Sequence, residues 1–148
     1  MENVNWIGIL VGALVPMVMG MLWYSPPLFG KAWMKSIGKT EEDLKAGANM
    51  PVTLLLAFVF AFLLSFFLYG MLGIHDYITA LNDGEGATYA HGFGHGMYHG
   101  GFLGALVAAP VLVTNSLFEQ RDWTNIIINA AYWILTIALM GGVISLFM

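Results

Sequence analysis

The stretch from Ala90 to Phe118 reads AHGFGHGMYHGGFLGALVAAPVLVTNSLF. From Met97 to Phe118 it is apolar and free of Asp, Glu, Lys and Arg. Such a run is close to the roughly 20 residues a helix needs to cross ~30 Å of hydrocarbon. Lipid offers no water to backbone N–H and C=O groups, so the segment must satisfy them internally, as a helix does. At helical spacing the stretch carries two stripes. Gly92, Gly96, Gly100, Gly104 and Ala108 recur every fourth residue, a small-residue ridge along which another helix can approach closely. His91, His95 and His99 recur at the same interval one position earlier, on a face about 100° round the helix.

Three further spans share the apolar character: about Trp6–Trp23, Val52–Ile74 and Ile126–Phe147, none with a charged residue. The reading is therefore all-α, an integral membrane four-helix bundle forming a single transmembrane domain, with helices at about 4–24, 51–74, 90–118 and 124–147. A β-barrel would show polar–apolar alternation, which is absent. Composition agrees: 59% of residues are hydrophobic and only 9% charged, against roughly 25% charged in soluble domains. Mean hydropathy is +0.76. The first apolar run has no basic residues before it and no small-residue cleavage site after it, so it is read as a retained helix rather than a signal peptide. The absence of cysteine removes disulfides, thiolate metal sites and cysteine nucleophiles. No basic stripe points to nucleic acid.

Small residues recur in the other spans too: Gly8, Gly12, Pro16 and Gly20 in the first, Ala57, Ala61 and Ser65 in the second, and Ala130, Ala131, Ala138, Gly141 and Gly142 in the fourth. All four helices are thus expected to pack tightly. Pro16 and Pro110 each remove a backbone donor, and kinks are expected there.

The first loop, Tyr24 to Met50, is the largest polar piece. Ser25-Pro26-Pro27 stops the first helix. Leu28, Phe29, Trp33, Met34 and Ile37 alternate with Lys31 and Lys35, the pattern of a short interfacial helix with snorkelling lysines. Thr40 followed by Glu41, Glu42 and Asp43 predicts a capped second turn. Lys31, Lys35, Lys39 and Lys45 lie in loop one and Arg121 in loop three, while loop two and the tails have no Lys or Arg. Loops one and three are therefore expected to be cytoplasmic, with both termini and loop two outside.

Trp23-Tyr24-Ser25-Pro26, then Leu28-Phe29-Gly30-Lys31-Ala32-Trp33-Met34-Lys35, then Thr40-Glu41-Glu42-Asp43-Leu44, resemble small bacterial membrane proteins of the domain of unknown function 1761 family. Asn115, Leu117-Phe118-Glu119, Arg121 and Asn129-Ala130-Ala131-Tyr132-Trp133 agree as well. The resemblance implies a four-helix protein of the bacterial inner membrane and no known activity. The His-Gly opening of the third span is not part of that pattern.

Three constellations carry possible chemistry. His91/His95 and His95/His99 are i,i+4 pairs, and such a pair can offer two imidazoles to Zn²⁺ or Cu²⁺. His91 and His99 are about 12 Å apart along the axis, so one ion cannot take all three, and a third ligand must come from elsewhere. His75, Asp76, Asp83 and Glu85 in loop two lie on the same side. The plainer reading is solvated histidines on a helical extension. Second, Asn125, Asn129, Tyr132 and Thr136 form one polar face of the fourth span, either a polar cleft or, by the simpler reading, interhelical hydrogen bonds. Third, Glu119, Arg121 and Asp122 make a salt-bridged turn expected to anchor loop three against the lysines of loop one. Met17, Met19 and Met21 do not share one narrow face and read as packing.

Three functions follow from this. The leading one is a non-enzymatic structural or accessory subunit, in contact with the lipid bilayer, that self-associates as a homo-oligomer or joins a membrane complex through its small-residue ridges. The alternatives are a small transporter or channel, and a metal- or quinone-linked protein using the histidines, with Tyr89 and Tyr98 nearby.

Overall fold

The computed structural model describes residues 4–47, 49–83 and 92–148, and the side chains of all of these except Asn82 and Asp83. Helix α1 spans Trp6–Trp23, and two short helices, α2 (Gly30–Ser36) and α3 (Glu41–Gly47), follow in loop one. Helix α4 spans Met50–Asp83, α5 Phe93–Leu103, α6 Ala109–Phe118 and α7 Trp123–Ser145. There is no strand among the described residues.

The packing is up-and-down, and hydrogen bonds at both ends fix the sense. Asn5 Nδ2 donates to the Phe147 carbonyl (3.0 Å) and Trp23 Nε1 to the Ile128 carbonyl (3.1 Å), so α1 runs antiparallel to α7. Ser65 Oγ donates to the Ile9 carbonyl (2.7 Å) and the Asn5 amide to Tyr69 Oη (3.1 Å), so α4 runs antiparallel to α1. The centre is α7, against which α1, α4, α5 and α6 all pack. Leu68, Leu72, Ile137, Met140 and Ile144 form its buried core. The outer faces are apolar as well: Leu54, Leu55, Phe60, Leu63 and Phe67 are exposed on α4, and Phe118 is 86% exposed. Those side chains suit contact with lipid, not water. Together with four helices long and apolar enough to cross a bilayer, they define a multi-pass membrane protein.

The glycine ridge has a partner within the chain. A Cβ on Gly96 would strike the carbonyl oxygen of Gly141, and one on Gly100 that of Ile137. At Gly104 it would stand 2.9 Å from Ile134 Cα. Gly142 is equally tight, 2.8 Å from the Phe93 ring. On α1, added Cβ atoms would come 2.6 Å from Phe147 Cβ at Gly8 and 2.5 Å from Ser65 Oγ at Gly12, whereas Gly20 has only an ordinary contact with Tyr132. Gly92 precedes α5 as its N-cap. The surplus of small residues that suggested an outward surface is therefore spent between α5 and α7 and around α1. Backbone contact of this kind is what holds helices together in lipid.

Of the two expected kinks, Pro110 is met by a π-helical turn over Gly104–Ala108 directly ahead of α6. Proline has no N–H and its ring crowds the carbonyl four residues back, here Leu106. Widening the turn relieves that clash. Pro16 sits buried inside a continuous α1, and its carbonyl accepts a hydrogen bond from Tyr132 Oη (2.9 Å).

Loop one folds as its sequence predicts. The Asp43 amide donates to Thr40 Oγ1 (3.2 Å) and the Thr40 amide to Asp43 Oδ2 (2.8 Å), a reciprocal cap. The Thr40 hydrogen bonds hold the Asp43 carboxyl below its ordinary range. A depressed carboxyl stabilises the cap above that range and ceases to do so as pH falls through it. The turn from α1 into α2 is tighter still: the Phe29 amide donates to the Trp23 carbonyl (3.1 Å) and the Gly30 amide to the Ser25 carbonyl (3.0 Å). A Cβ on Gly30 would collide with the Tyr24 carbonyl and come 2.8 Å from the Ser25 carbonyl carbon. Gly30→Ala is accordingly expected to destabilise the protein by about 1–3 kcal/mol in detergent unfolding. Gly47→Ala, which meets nothing within 4 Å, is the control that should leave it unchanged.

Candidate metal centre

Hydropathy falls away after Ile74, but the α4 helix does not stop there. At 34 residues it is about 51 Å long, well beyond what a bilayer core requires. His75 and Asp76 therefore sit on a helical extension, not in a loop. The first turns of α5 stand beside it at the end of the bundle opposite loops one and three, carrying His95 and His99 four residues apart on one face.

There the three imidazoles converge. Ring centroids lie 4.2 Å apart for His75 and His99, 4.6 Å for His95 and His99, and 5.4 Å for His75 and His95. One nitrogen from each falls within a group whose members are all within 4.8 Å of one another. His95 Nε2 is buried and has no hydrogen-bond partner among the described residues. The Asp76 Oδ1 atom is 3.6 Å from it, on a side chain only 13% exposed. Neutral imidazole offers one lone pair, and imidazole with carboxylate and no sulfur is a ligand set for borderline divalent ions such as zinc or copper(II). Of the residues singled out in the sequence, His75, His95 and His99 come together. His91, Glu85 and Tyr89 lie outside the described residues, as does the side chain of Asp83. Tyr98 is exposed beside His99.

The polar face of α7 lies at the other end, and its partner is loop one. Tyr24 Oη donates to Asn129 Oδ1 (2.7 Å), Asn129 Nδ2 to Asn125 Oδ1 (2.9 Å) and Asn125 Nδ2 to Ser36 Oγ (3.2 Å). Tyr132 bonds Pro16 as noted, and Thr136 is fully buried one turn further on. Tyr24 is sandwiched between Trp33 and Tyr132, with centroids 5.1 Å from each, and Trp23 packs on Phe29 at 4.5 Å. Burial, and then the neighbouring Tyr132, push the Tyr24 phenol above its ordinary value. The Trp23-Tyr24-Ser25-Pro26 motif and the Asn129–Trp133 motif are thus two halves of one dock. A cleft of about 520 Å³ opens beside it, lined by Ala32, Lys35, Ser36, Asp122 and Thr124. The family resemblance carried both motifs, and spacing the polar face of α7, but the Ser36 hydroxyl that joins them carried no signal. Tyr24→Phe is expected to cost roughly 0.6–2 kcal/mol, read as a lowered midpoint of thermal unfolding in detergent.

Loop three differs from expectation. Arg121 pairs with Glu119 (2.8 Å), and Asp122 caps α7 by accepting from the Thr124 amide (3.0 Å). Among the described residues no lysine of loop one reaches these acids; Lys45 pairs with Glu41 inside α3 instead. Loop one is tied to the start of α7 by the neutral Asn125–Ser36 bond.

Four apolar helices, a small-residue seam and two polar clusters confined to opposite ends define the class: a polytopic helical membrane protein. Within that class, the chain belongs to the family described as protein of unknown function (DUF1761), which matches it over residues 7–145. The match takes in both clusters. No curated protein and no solved structure matches the chain.

Proposed function

We propose that this protein is a non-enzymatic, multi-pass protein of the bacterial inner membrane that binds a divalent transition-metal ion through His75, His95 and His99. The observation that carries this reading is the convergence of three imidazoles from two separate helices, one of them with a buried nitrogen that lacks a hydrogen bond. Like-charged imidazolium ions would separate at these distances, whereas a shared cation holds three imidazoles together. By the distribution of basic residues, the histidine end and both termini face outward. Self-association rested on a surplus of glycine ridge, and α7 takes up that ridge. A transport path through a single chain is disfavoured by Leu68, Leu72, Ile137 and Met140, which form a closed apolar core next to the histidine end.

The test is direct. Purified protein equilibrated with Zn²⁺ at neutral pH and freed of excess is expected to retain about one ion per chain by elemental analysis. His95→Ala and His99→Ala should retain none. A wild-type protein that binds no zinc sinks the reading.

A further inference from the structure

Beside the histidine cluster, and outside its group of mutually close nitrogens, stands the carboxylate of Asp76. Asp76 adjoins His75 on α4, its side chain is largely buried, and its Oδ1 stands 3.6 Å from His95 Nε2 across the gap between α4 and α5. That separation is longer than a charge-assisted hydrogen bond, about 2.7–2.9 Å. It is close to the spacing of two ligands on one ion: bonds of about 2.0–2.1 Å at tetrahedral angles put ligand atoms about 3.3–3.4 Å apart. The nitrogen concerned is the one that is buried without a hydrogen bond. Resting on the metal reading above, we infer that Asp76 is the fourth ligand, so that α4 supplies His75 and Asp76, α5 supplies His95 and His99, and the ion is enclosed in a His₃Asp set.

Two consequences follow from the chemistry. The carboxylate lowers the charge of the loaded site by one, which reduces the penalty for holding a divalent ion beside hydrocarbon. A closed four-ligand site leaves no position for water or substrate, so it holds an ion and does not hydrolyse anything. With three nitrogens, one oxygen and no sulfur, it takes Zn²⁺ or Co²⁺ in preference to Cu⁺.

The experiment uses Co²⁺ as the probe, with visible absorption as the readout. The wild-type protein is expected to develop the intense bands of four-coordinate cobalt, saturating at about one ion per chain, and added azide should leave them unmoved because no position is open. Asp76→Asn is expected to bind cobalt about tenfold or more weakly and to become responsive to azide. Wild-type bands that shift with azide overturn the fourth-ligand assignment, as does an Asp76→Asn variant equal to wild type in affinity and spectrum; either result leaves the three-histidine site standing. If wild type develops no cobalt bands, it is the histidine site itself that fails.

Discussion

Gly96→Ala is expected to lower the stability of the bundle by at least about 3 kcal/mol, the upper part of the range for overpacked sites. The added methyl would enter the Gly141 carbonyl, and the reciprocal position is no better, since a Cβ on Gly141 strikes the Gly96 carbonyl. Both obstacles are backbone, so no side-chain rotation can make room. The helices must separate, and with them go the contacts at Gly100 and Gly104. Gly94, two residues away on the same helix, meets nothing within 4 Å. Gly94→Ala is expected to be neutral or to stabilise by roughly 0.5–1 kcal/mol, the usual gain of alanine over glycine inside a helix. Thermal or denaturant unfolding of both variants in one detergent measures the difference. Equal midpoints would mean that α5 and α7 are not in backbone contact.

The second large effect concerns zinc. Where α5 presses on α7, it approaches α4 at few places, and the histidine cluster is the main chemistry between them. An ion held by both helices is expected to tie them together. By linkage, zinc at about 100 times its dissociation constant should stabilise the wild type by about 2.7 kcal/mol, removable with chelator. His75→Ala takes the only histidine from α4, and its unfolding midpoint should no longer respond to zinc. A response of wild-type size in His75→Ala would show that zinc acts elsewhere.

These two expectations differ in how far the sequence anticipated them. The four helices were legible because lipid demands about 20 uncharged residues per crossing, and that demand leaves an unmistakable run. The ridge from Gly96 to Gly104 was legible as a surface but not as to its partner: small residues at fourfold spacing recur on all four spans, and spacing does not say which ridge meets which. Gly141 and Gly142 became its counterpart only through the tilt and register of α7. His95 and His99 were visible as an i,i+4 pair. His75 was placed in a loop because hydropathy drops at Ile74, but helix formation does not require hydrophobicity, and α4 continues to Asp83. Asp76, named with it as lying on the histidine side, was placed in the same loop; its register against His95 follows only from the continued helix. The network through Ser36 was hidden for a different reason: one hydroxyl in a short amphipathic helix is ordinary, and only the fold makes it a link.

The position of α7 in the chain has a consequence for biogenesis. It is made after the other three spans, and half of its most apolar window is buried, against 28%, 17% and 11% for them. Synthesis delivers the chain from its N-terminus. Until residues 123–145 enter the membrane, the spans already inserted lack the surface on which they close: Gly96 and Gly100 have no carbonyl to rest on, and Trp23 and Tyr24 have no acceptor. Helices α1 and α4 can already pair through Ser65 and Ile9, but the seam with α5 and the dock for loop one form only when α7 arrives.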